Sequence, residues 1–262
     1  MSLSDDEIAT IADELGDAER TRTTVSLLTQ RHPEMTVEDA YAVQNEWRRR
    51  GIAAGRHPVG RKIGLTSKVM QAATGITEPD YGSIFADMVF ESGAVIEHDR
   101  YSNVRIEVEL AFQLAEPVEG PDATLFDVMR AAEYVVPALE ILSSRIELQG
   151  RTIVDTISDN AAMGGMVYGG TPTDPHSVDL RWVSALLYRN ETIEETGVAA
   201  AVLGHPARGV AWLANKLAQH GDRLEAGELV LAGSFTRPMW VHRGDTVFAD
   251  YGSMGAVTCR FV

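Results

Sequence analysis

The chain has 262 residues, of which 45% are hydrophobic and 23% charged, with a formal net charge of −15. This length and composition predict a globular protein that buries a sizeable core, without a membrane span or a secretory leader. The negative charge opposes what a nucleic-acid-binding surface needs. We therefore expect a cytoplasmic protein with no nucleic-acid or membrane partner. The lone cysteine, Cys259, excludes an internal disulfide framework and is typical of a small packing residue.

Residues 1–58 predict a small helical N-terminal region. The sequence SDDE, from Ser4 to Glu7, fits a capping box in front of a first helix. Thr36 opens a second helix that is predicted to extend through Trp47. This helical region precedes everything that carries candidate chemistry, so we expect it to support the rest of the fold.

Residues 59–262 predict one continuous strand-rich domain. In chain order, the predicted elements are a strand at 59–65, a short helix at 66–73, a turn at 78–82, strands at 84–90, 94–97 and 104–113, a helix at 124–134, a strand that ends near 142, a closely packed segment or tight loop at 155–170, a hairpin of 180–188 with 192–196, a helix from His205 and Pro206 to Gly221, and strands at 228–235, 245–250 and 255–261. With the N-terminal helices, this order predicts an α+β fold.

Three carboxylates are prominent in two of these strands. In RIEVELAF, residues 105–112, Glu107 and Glu109 share one face because strand side chains alternate. Glu140 ends an apolar run and is expected to be buried, where a carboxylate needs a cation. Three convergent carboxylates without nearby Cys or His favour Mg²⁺ or Mn²⁺. From the residues alone, a solvated Glu107/Glu109 face and a Glu140–arginine ion pair remain the alternative.

Common catalytic motifs are absent from the sequence. There is no G-x-G-x-x-G, P-loop or G-x-S-x-G, so dinucleotide binding, NTP hydrolysis and a hydrolase nucleophile elbow lack support. The S-D-N sequence at 158–160 matches a β-lactamase element, but no Ser stands three residues before a lysine and K-T-G is missing. Lysines make up three of the 23 basic residues, and a lysine retained at Lys62 indicates a position that needs a compact ammonium group.

Several stretches, in combination and order, resemble the hydratase/decarboxylase branch of the fumarylacetoacetate hydrolase superfamily. The members of this branch act on 2-oxo acids in the meta-cleavage degradation of aromatic compounds. The resemblance covers nearly the whole chain and implies a mixed β-sheet roll and a homo-oligomer built of five-fold rings. The stretches are GRKIGLTS at 60–67, EPDYG at 78–82, RIEVELAF at 105–112, PALE at 137–140, DTISDN at 155–160 and residues 197–212.

The resemblance also implies a substrate class. Residues 180–212 and GSFTRP at 233–238 look most like hydratases that act on 2-oxo-hept-3-ene-1,7-dioate, formed from 2-hydroxyhepta-2,4-dienedioate, to give 4-hydroxy-2-oxoheptanedioate. The connection at 141–154 is shorter than expected for the seven-carbon hydratases. It looks more like the corresponding connection of relatives that hydrate 2-hydroxypenta-2,4-dienoate. The alternatives are therefore that five-carbon hydratase, a 4-oxalocrotonate-type decarboxylase and, in a different class, a non-catalytic assembly partner.

Residue roles follow from the same resemblance. The metal ligands, for Mg²⁺ or Mn²⁺, would be Glu107, Glu109 and Glu140. Lys62 would offset their negative charge and stabilise a developing oxyanion, and Asp80 would act as general acid and base. For both, the alternative is an ordinary residue of a strand or turn.

The resemblance and the side-chain chemistry also suggest a substrate pocket. Arg237 would bind the distal carboxylate of a seven-carbon diacid, because a guanidinium pairs with a carboxylate through two hydrogen bonds. Its alternative is a surface arginine before a proline turn. The pocket would be lined by Ser158, Asp159 and Asn160, which could instead cap the small-residue segment that follows.

Overall fold

The computed structural model describes residues 2–66, 71 and 78–262. Its helices are α1 (Asp5–Thr21), α2 (Leu28–Arg31), α3 (Val37–Ala53), α4 (Leu125–Ala131), α5 (Ile153–Ser158) and α6 (Pro206–Ala218). Within this part of the chain, no helix combines the length and the apolar character needed to cross a bilayer. The short helix predicted at 66–73 lies, apart from Thr66 and Gln71, outside the described residues.

The strands form two mixed sheets, and the predicted α+β class is confirmed. They are β1 (Pro58–Gly64), β2 (Asp80–Phe85), β3 (Val89–Glu91), β4 (Ala94–Ile96), β5 (Arg105–Leu114), β6 (Ala132–Leu142), β7 (Met163–Tyr168), β8 (Ser184–Arg189), β9 (Thr192–Val198), β10 (Leu229–Leu231), β11 (Met239–Trp240), β12 (Thr246–Asp250) and β13 (Ala256–Phe261).

The N-terminal helices begin where their capping residues predict. Ser4 accepts a hydrogen bond from the Glu7 N–H, and the Glu7 carboxylate accepts one from the Ser4 N–H at 2.8 Å. Helix α3 continues past the predicted end to Ala53. Glu46 forms ion pairs with Arg49 and Arg50, at 2.7 Å each, and such pairs one turn apart stabilise a helix. Both pairs help to stabilise the part of α3 beyond Trp47.

The larger sheet has the strand order β2-β1-β10-β5-β6-β7-β3, and β11 pairs with the start of β5. Its longest ladder joins β5 and β6 in antiparallel register from Arg105 opposite Leu142 to Leu114 opposite Ala132. Strand β6 is buried from Val135 onward, so it reads as a nearly continuous apolar run in the sequence. The only charged side chain in that buried part of β6 is Glu140.

The smaller sheet has the order β4-β13-β12-β8-β9 and packs against the larger one. The hydroxyl of Tyr251, just after β12, lies 2.5 Å from the Ala138 carbonyl oxygen and 3.1 Å from that of Glu109. Cys259 is buried in β13, and burial raises the pKa of its thiol to about 12. The predicted packing role of Cys259 therefore agrees with its place in the core.

Several predicted elements differ from the observed secondary structure. The strand predicted at 84–90 is divided by a 3-10 helix at Ala86–Met88, and the helix predicted at 124–134 ends at Ala131, directly before β6. The EPDYG sequence, interpreted as a turn, instead leads into the buried strand β2, and Gly82 is needed there because a methyl group would overlap the Asn160 carbonyl. Residues 155–170 contain the end of α5 and all of β7. A methyl group at Gly164 would lie 2.7 Å from the Ser143 Cβ. The small residues therefore allow close packing of the strands. Of the two interpretations of residues 155–170, a closely packed segment or a tight loop, the first is the one observed.

The hairpin and the last long helix follow their sequence signals. Strands β8 and β9 pair across Asn190. Helix α6 has His205 as its N-cap, whose Nδ1 accepts the Ala207 N–H at 3.1 Å, followed by Pro206 at the first helical position. Both elements pack against the segment after β10, since Gly197 lies against the Phe235 backbone and Gly209 against the Ala232 backbone.

Candidate active site

The pairing of β5 with β6 brings the three predicted glutamates together. Glu107 lies directly opposite Glu140, and Glu109 follows two residues later on the same face of β5. One carboxylate oxygen from each residue lies within 4.8 Å of the other two. Glu109 and Glu140 have no exposed surface, and Glu107 is partly buried. We call Glu107, Glu109 and Glu140 the glutamate cluster.

The glutamate cluster lacks the hydrogen bonds that buried carboxylates need. Glu109 Oε2 accepts the Gly233 N–H at 2.9 Å. Its Oε1 and both oxygens of Glu140 accept no hydrogen bond of good geometry from the described residues. Burial, with the neighbouring charge of Glu140, raises the pKa of Glu107 to about 8 and that of Glu109 well above its ordinary value. A divalent cation bound by oxygen ligands would satisfy these groups, so the residues present fit Mg²⁺ or Mn²⁺.

Among the described residues, Lys62 is the cation that forms an ion pair with the glutamate cluster. Its Nζ lies 3.1 Å from Glu140 Oε1, and the side chains are only 4% and 1% exposed. Burial alone would lower the pKa of Lys62, but the surrounding carboxylates, above all Glu140, raise it above its ordinary value. Lys62 is therefore a fixed ammonium group, held in β1 between β2 and β10. One ammonium cannot balance three carboxylates.

Asp80 begins β2 and faces Lys62 across a gap. Asp80 pairs with Gly64 in the β1/β2 ladder, and neither of its carboxylate oxygens accepts a well-formed hydrogen bond from the described residues. Burial raises the pKa of Asp80. A methyl group at Gly64 would overlap Asp80 Oδ1 and lie 3.1 Å from Lys62 Nζ. Glycine thus keeps this gap open, and Asp80 can hold or release a proton inside it.

A cavity of about 330 Å³ opens beside these groups. Lys62, Asp80 and Glu107 reach its surface, whereas Glu109 and Glu140 lie buried beneath it. Its volume suits a small organic acid. The described residues that complete its wall include Thr66, Arg105, Leu142, Leu148, Arg151, Thr156, Ala161, Ala162, Ser234, Thr236 and Pro238.

The predicted pocket residues 158–160 lie behind this wall. Ser158 Oγ donates to the Val154 carbonyl at 2.9 Å. The Asn160 side chain accepts the Ser83 N–H at 2.7 Å and donates to the Ser83 carbonyl at 2.9 Å. Asp159 is fully buried and bonded to Arg145 and Arg151. The structure therefore places all three in the scaffold behind the cavity wall. The alternative of a cap on the following segment is not seen either, because Asp159 makes no side-chain capping hydrogen bond there.

Arg237 also lies away from the cavity. Its side chain is 76% exposed and forms an ion pair with Glu195 at 2.9 Å. The adjacent Thr236 and Pro238 line the cavity, but Arg237 does not. Arg237 is therefore a surface arginine, which was the alternative interpretation of its sequence. The neighbouring side chains of Thr236 and Pro238 turn towards the cavity, and Arg237 turns towards solvent.

Two arginines of the cavity wall, Arg105 and Arg151, were not among the site residues predicted from the sequence. Arg105 is two residues before Glu107, so strand alternation alone places it on the same face. Arg151 lies in the connection before α5, where no periodic pattern marks it. The first could have been found from the sequence, whereas the second needed the structure.

The chain belongs to the fumarylacetoacetate hydrolase family. Residues 61–262 match the family description "Fumarylacetoacetate (FAA) hydrolase C-terminal", which confirms the family predicted from the motifs. The chain is 55% identical to a 2-oxo-hept-4-ene-1,7-dioate hydratase from Escherichia coli, over 96% of this chain and 97% of that one. It is 41% identical to a 2-keto-4-pentenoate hydratase from Paraburkholderia xenovorans, over 87% and 85%.

A solved structure of similar fold comes from the same branch. The 4-oxalocrotonate decarboxylase from Pseudomonas putida G7, complexed with magnesium and adipate, superposes with a TM-score of 0.97. The sequences are 34% identical, and the match covers 100% of this chain and 99% of the decarboxylase. Hydratases and a decarboxylase are thus all similar to this chain.

Proposed function

We propose that the protein is a divalent-metal-dependent hydratase of a seven-carbon 2-oxo diacid, which it converts to 4-hydroxy-2-oxoheptanedioate. The observation that carries the proposal is the glutamate cluster, short of positive charge, at a cavity that also presents Lys62 and Asp80. The 55% identity to the Escherichia coli hydratase supports the choice of substrate. The alternatives remain the five-carbon hydratase and the decarboxylase.

The two isomers of this substrate have one precursor. Protonation of 2-hydroxyhepta-2,4-dienedioate at C3 gives the 4-ene named for the relative, and protonation at C5 gives the conjugated 3-ene. Water adds at C4 of the 3-ene, because only there does conjugation with the 2-oxo group withdraw electrons from C4. The site must therefore deliver a proton to carbon and take one from water.

The metal ligands would be Glu107, Glu109 and Glu140, with Mg²⁺ or Mn²⁺ as the ion. When bound, the dication supplies Lewis-acid stabilisation of negative charge on the 2-oxo oxygen. Lys62 adds a buried positive charge 3.1 Å from Glu140, which attracts the substrate carboxylate and stabilises charge on oxygen. Because it stays protonated, Lys62 acts as an electrostatic group and not as a base.

Asp80 is the group that would move protons. Its raised pKa increases the fraction of carboxylic acid that can donate to carbon, and the resulting carboxylate can accept a proton from the attacking water. The gap at Gly64 gives Asp80 access to the cavity. Lys62 faces the same gap, so its charge would favour the ionised state of Asp80 after donation.

The proposal is tested by kinetics on chelator-treated protein with Mg²⁺ added back. The loss of diene absorbance gives kcat/KM for 2-hydroxyhepta-2,4-dienedioate and for 2-hydroxypenta-2,4-dienoate. We expect turnover only with metal and a clear preference for the seven-carbon diacid. Asp80→Asn should lower kcat at least about 100-fold, while Arg237→Gln, on the surface, is the matched control.

Three results would contradict the proposal. Preference for the five-carbon substrate would make the protein the five-carbon hydratase. Release of CO₂ from a 4-oxalocrotonate-like acid, without hydration, would make it a decarboxylase. No turnover of any of these acids with metal restored would favour a non-catalytic assembly partner.

We also propose a cytoplasmic homo-oligomer of five-fold rings. Leu186, Ile193 and Phe248 are exposed on the smaller sheet, with Tyr188 between them in register. Clusters of exposed apolar side chains of this kind mark interaction surfaces. Sedimentation of the purified protein and cell fractionation test the two parts; a monomer would contradict the first.

A further inference from the structure

Two arginines lie side by side in the cavity wall. An Arg105 Nη atom donates to Ser144 Oγ at 3.1 Å, and an Arg151 Nη atom donates to the same oxygen at 2.9 Å. Both line the cavity that Glu107 also reaches. Because one hydroxyl oxygen accepts from both, the two guanidinium groups are held close together, and their charges add at one place.

The positive charge of this pair is incompletely balanced. Arg151 forms an ion pair with Asp159 at 2.5 Å, but Asp159 also binds Arg145, so one carboxylate serves two arginines. Within the described part of the chain, the hydrogen-bond and ring partners of the Arg105 guanidinium are the Asn103 carbonyl, Ser144 and the Trp240 ring, none of them anionic. Burial lowers the pKa of Arg105, and the carboxylate that most opposes this shift is Glu107, which a cation bound at the glutamate cluster would engage.

One hydrogen-bond donor at this end also lacks an acceptor. Arg151 Nε is buried and donates to no acceptor among the described residues, and a buried charged donor without a partner is costly. The imbalance is opposite to that of the glutamate cluster, which lacks positive charge. The cavity therefore has a cation-seeking end and an anion-seeking end.

The spacing between the two ends fits a diacid. Arg105 and Glu107 are two residues apart on one face of β5, so their backbones are separated by roughly 7 Å. A substrate held at the glutamate cluster by its 2-oxo acid group would extend a second carboxylate away from that cluster. Guanidinium groups bind carboxylates through paired N–H donors, which a lysine cannot reproduce.

We propose that Arg105 and Arg151 bind the second carboxylate of the 2-oxo diacid and so determine the preference for a diacid over a monoacid. This inference rests on the proposed function, since it takes the glutamate cluster as the place of the 2-oxo acid group. It assigns to these two residues the role that the sequence had suggested for Arg237.

The test measures binding, without turnover, of two saturated analogues to the Mg²⁺-loaded protein by calorimetry. The first, 2-oxoheptanedioate, has both carboxylates, and the second, 2-oxopentanoate, has only the 2-oxo acid end. Arg105→Gln should weaken binding of the diacid about 10- to 100-fold, the usual loss for a charged hydrogen-bonded pair. It should change binding of the monoacid less than about 3-fold by the same reasoning, since that ligand never reaches Arg105.

Two further variants separate a binding role from a structural one. Arg105→Lys keeps the charge but not the paired donors, so it should recover only part of the diacid affinity. Arg237→Gln should leave both affinities unchanged. Arg151→Gln should weaken the diacid too, but it also removes the buried ion pair with Asp159, so the decision rests on the Arg105 variants, whose side chain forms no such ion pair among the described residues.

The inference is overturned if Arg105→Gln and Arg105→Lys weaken both analogues equally, or if neither changes diacid binding. A wild-type protein that binds the two analogues equally well would also overturn it. If wild type prefers the diacid analogue but hydrates no diene, the proposed function fails while the inference stands. The two failures are therefore distinguishable.

Discussion

Two buried acidic groups in this molecule differ in how their charge is balanced. Asp159 has no exposed surface, and its carboxylate accepts the Arg145 backbone N–H at 3.1 to 3.2 Å and binds the guanidinium groups of Arg145 and Arg151. The glutamate cluster is buried apart from the accessible part of Glu107, yet among the described residues Lys62 is the one cation within ion-pair distance of its three carboxylates.

The difference separates a structural ion pair from a ligand site. Where the chain provides all the counter-charge, as at Asp159, the carboxylate fixes the fold and has no free oxygen. Where the chain provides too little, as at the glutamate cluster, folding leaves oxygens that a cation from outside must satisfy. Burial alone does not distinguish the two; the balance of charge does.

The largest effect on stability is expected for Asp159, the carboxylate whose charge the chain itself balances. Asp159→Asn should lower the free energy of unfolding by about 3–5 kcal/mol, because it leaves two buried arginines without their carboxylate. Urea denaturation measures this loss. Asp17→Asn, which removes an ion pair between exposed side chains, is the control and should change stability far less. A loss no greater than that of the control would mean that Asp159 is not the structural group described here.

A smaller stabilisation is expected when metal completes the unbalanced cluster. Mg²⁺ at 100 times its dissociation constant should stabilise the protein by about 2.7 kcal/mol, seen as a rise in melting temperature. The pKa of Glu107 is raised to about 8, so protons compete with the metal, and at a fixed Mg²⁺ concentration the rise in melting temperature should grow between pH 6.5 and 8.5. The same rise in Glu109→Gln protein would place the metal elsewhere.

Removing one glutamate should stabilise the metal-free protein. In the folded chain the pKa of Glu109 is well above its ordinary value of 4.5. Above pH 4.5 the unfolded chain can release the proton of Glu109 more easily than the folded chain, so burial of this carboxyl lowers stability there. With chelator present at pH 8, Glu109→Gln should gain about 1 kcal/mol in urea unfolding, while Mg²⁺ binding is lost. The gain should vanish below pH 4.5, where the carboxyl is protonated in both states. If Glu109→Gln instead lowered the stability of the metal-free protein at pH 8, the glutamate cluster would not carry an excess of negative charge.

The smallest effect is expected at Arg237, outside both groups. Arg237→Gln removes an ion pair of a side chain that is 76% exposed. Its KM for the seven-carbon diacid should stay within about 2-fold of wild type, because surface pairs contribute little. A large rise in KM for the diacid alone would restore the role first suggested by the sequence.

The positions of the proposed metal ligands could be predicted because strand periodicity is local. Alternation in β5 puts Glu107 and Glu109 on one face, and the apolar run before Glu140 indicates its burial. Their convergence depended on the register of β5 against β6, which no local pattern gives. The family resemblance supplied that information, and the structure agrees with it.

The cavity wall could not be predicted in the same way. Asp159 has the same sequence chemistry whether it faces a ligand or an arginine, and the choice depends on Arg145, which lies 14 residues earlier. For Arg237, the inward turn of Thr236 and Pro238 decides which side chain remains outside. Both outcomes depend on tertiary packing, and residue type carries no information about it.

Gly64 affects how the activity of related sequences can be inferred from their reactive residues. A single alanine there would put a methyl group into the space between Asp80 and Lys62. Such a sequence would keep all the candidate acids, bases and metal ligands, and a comparison of reactive residues would score it as intact. We nevertheless expect lower activity, because the methyl group would displace the Asp80 carboxylate that packs against Gly64.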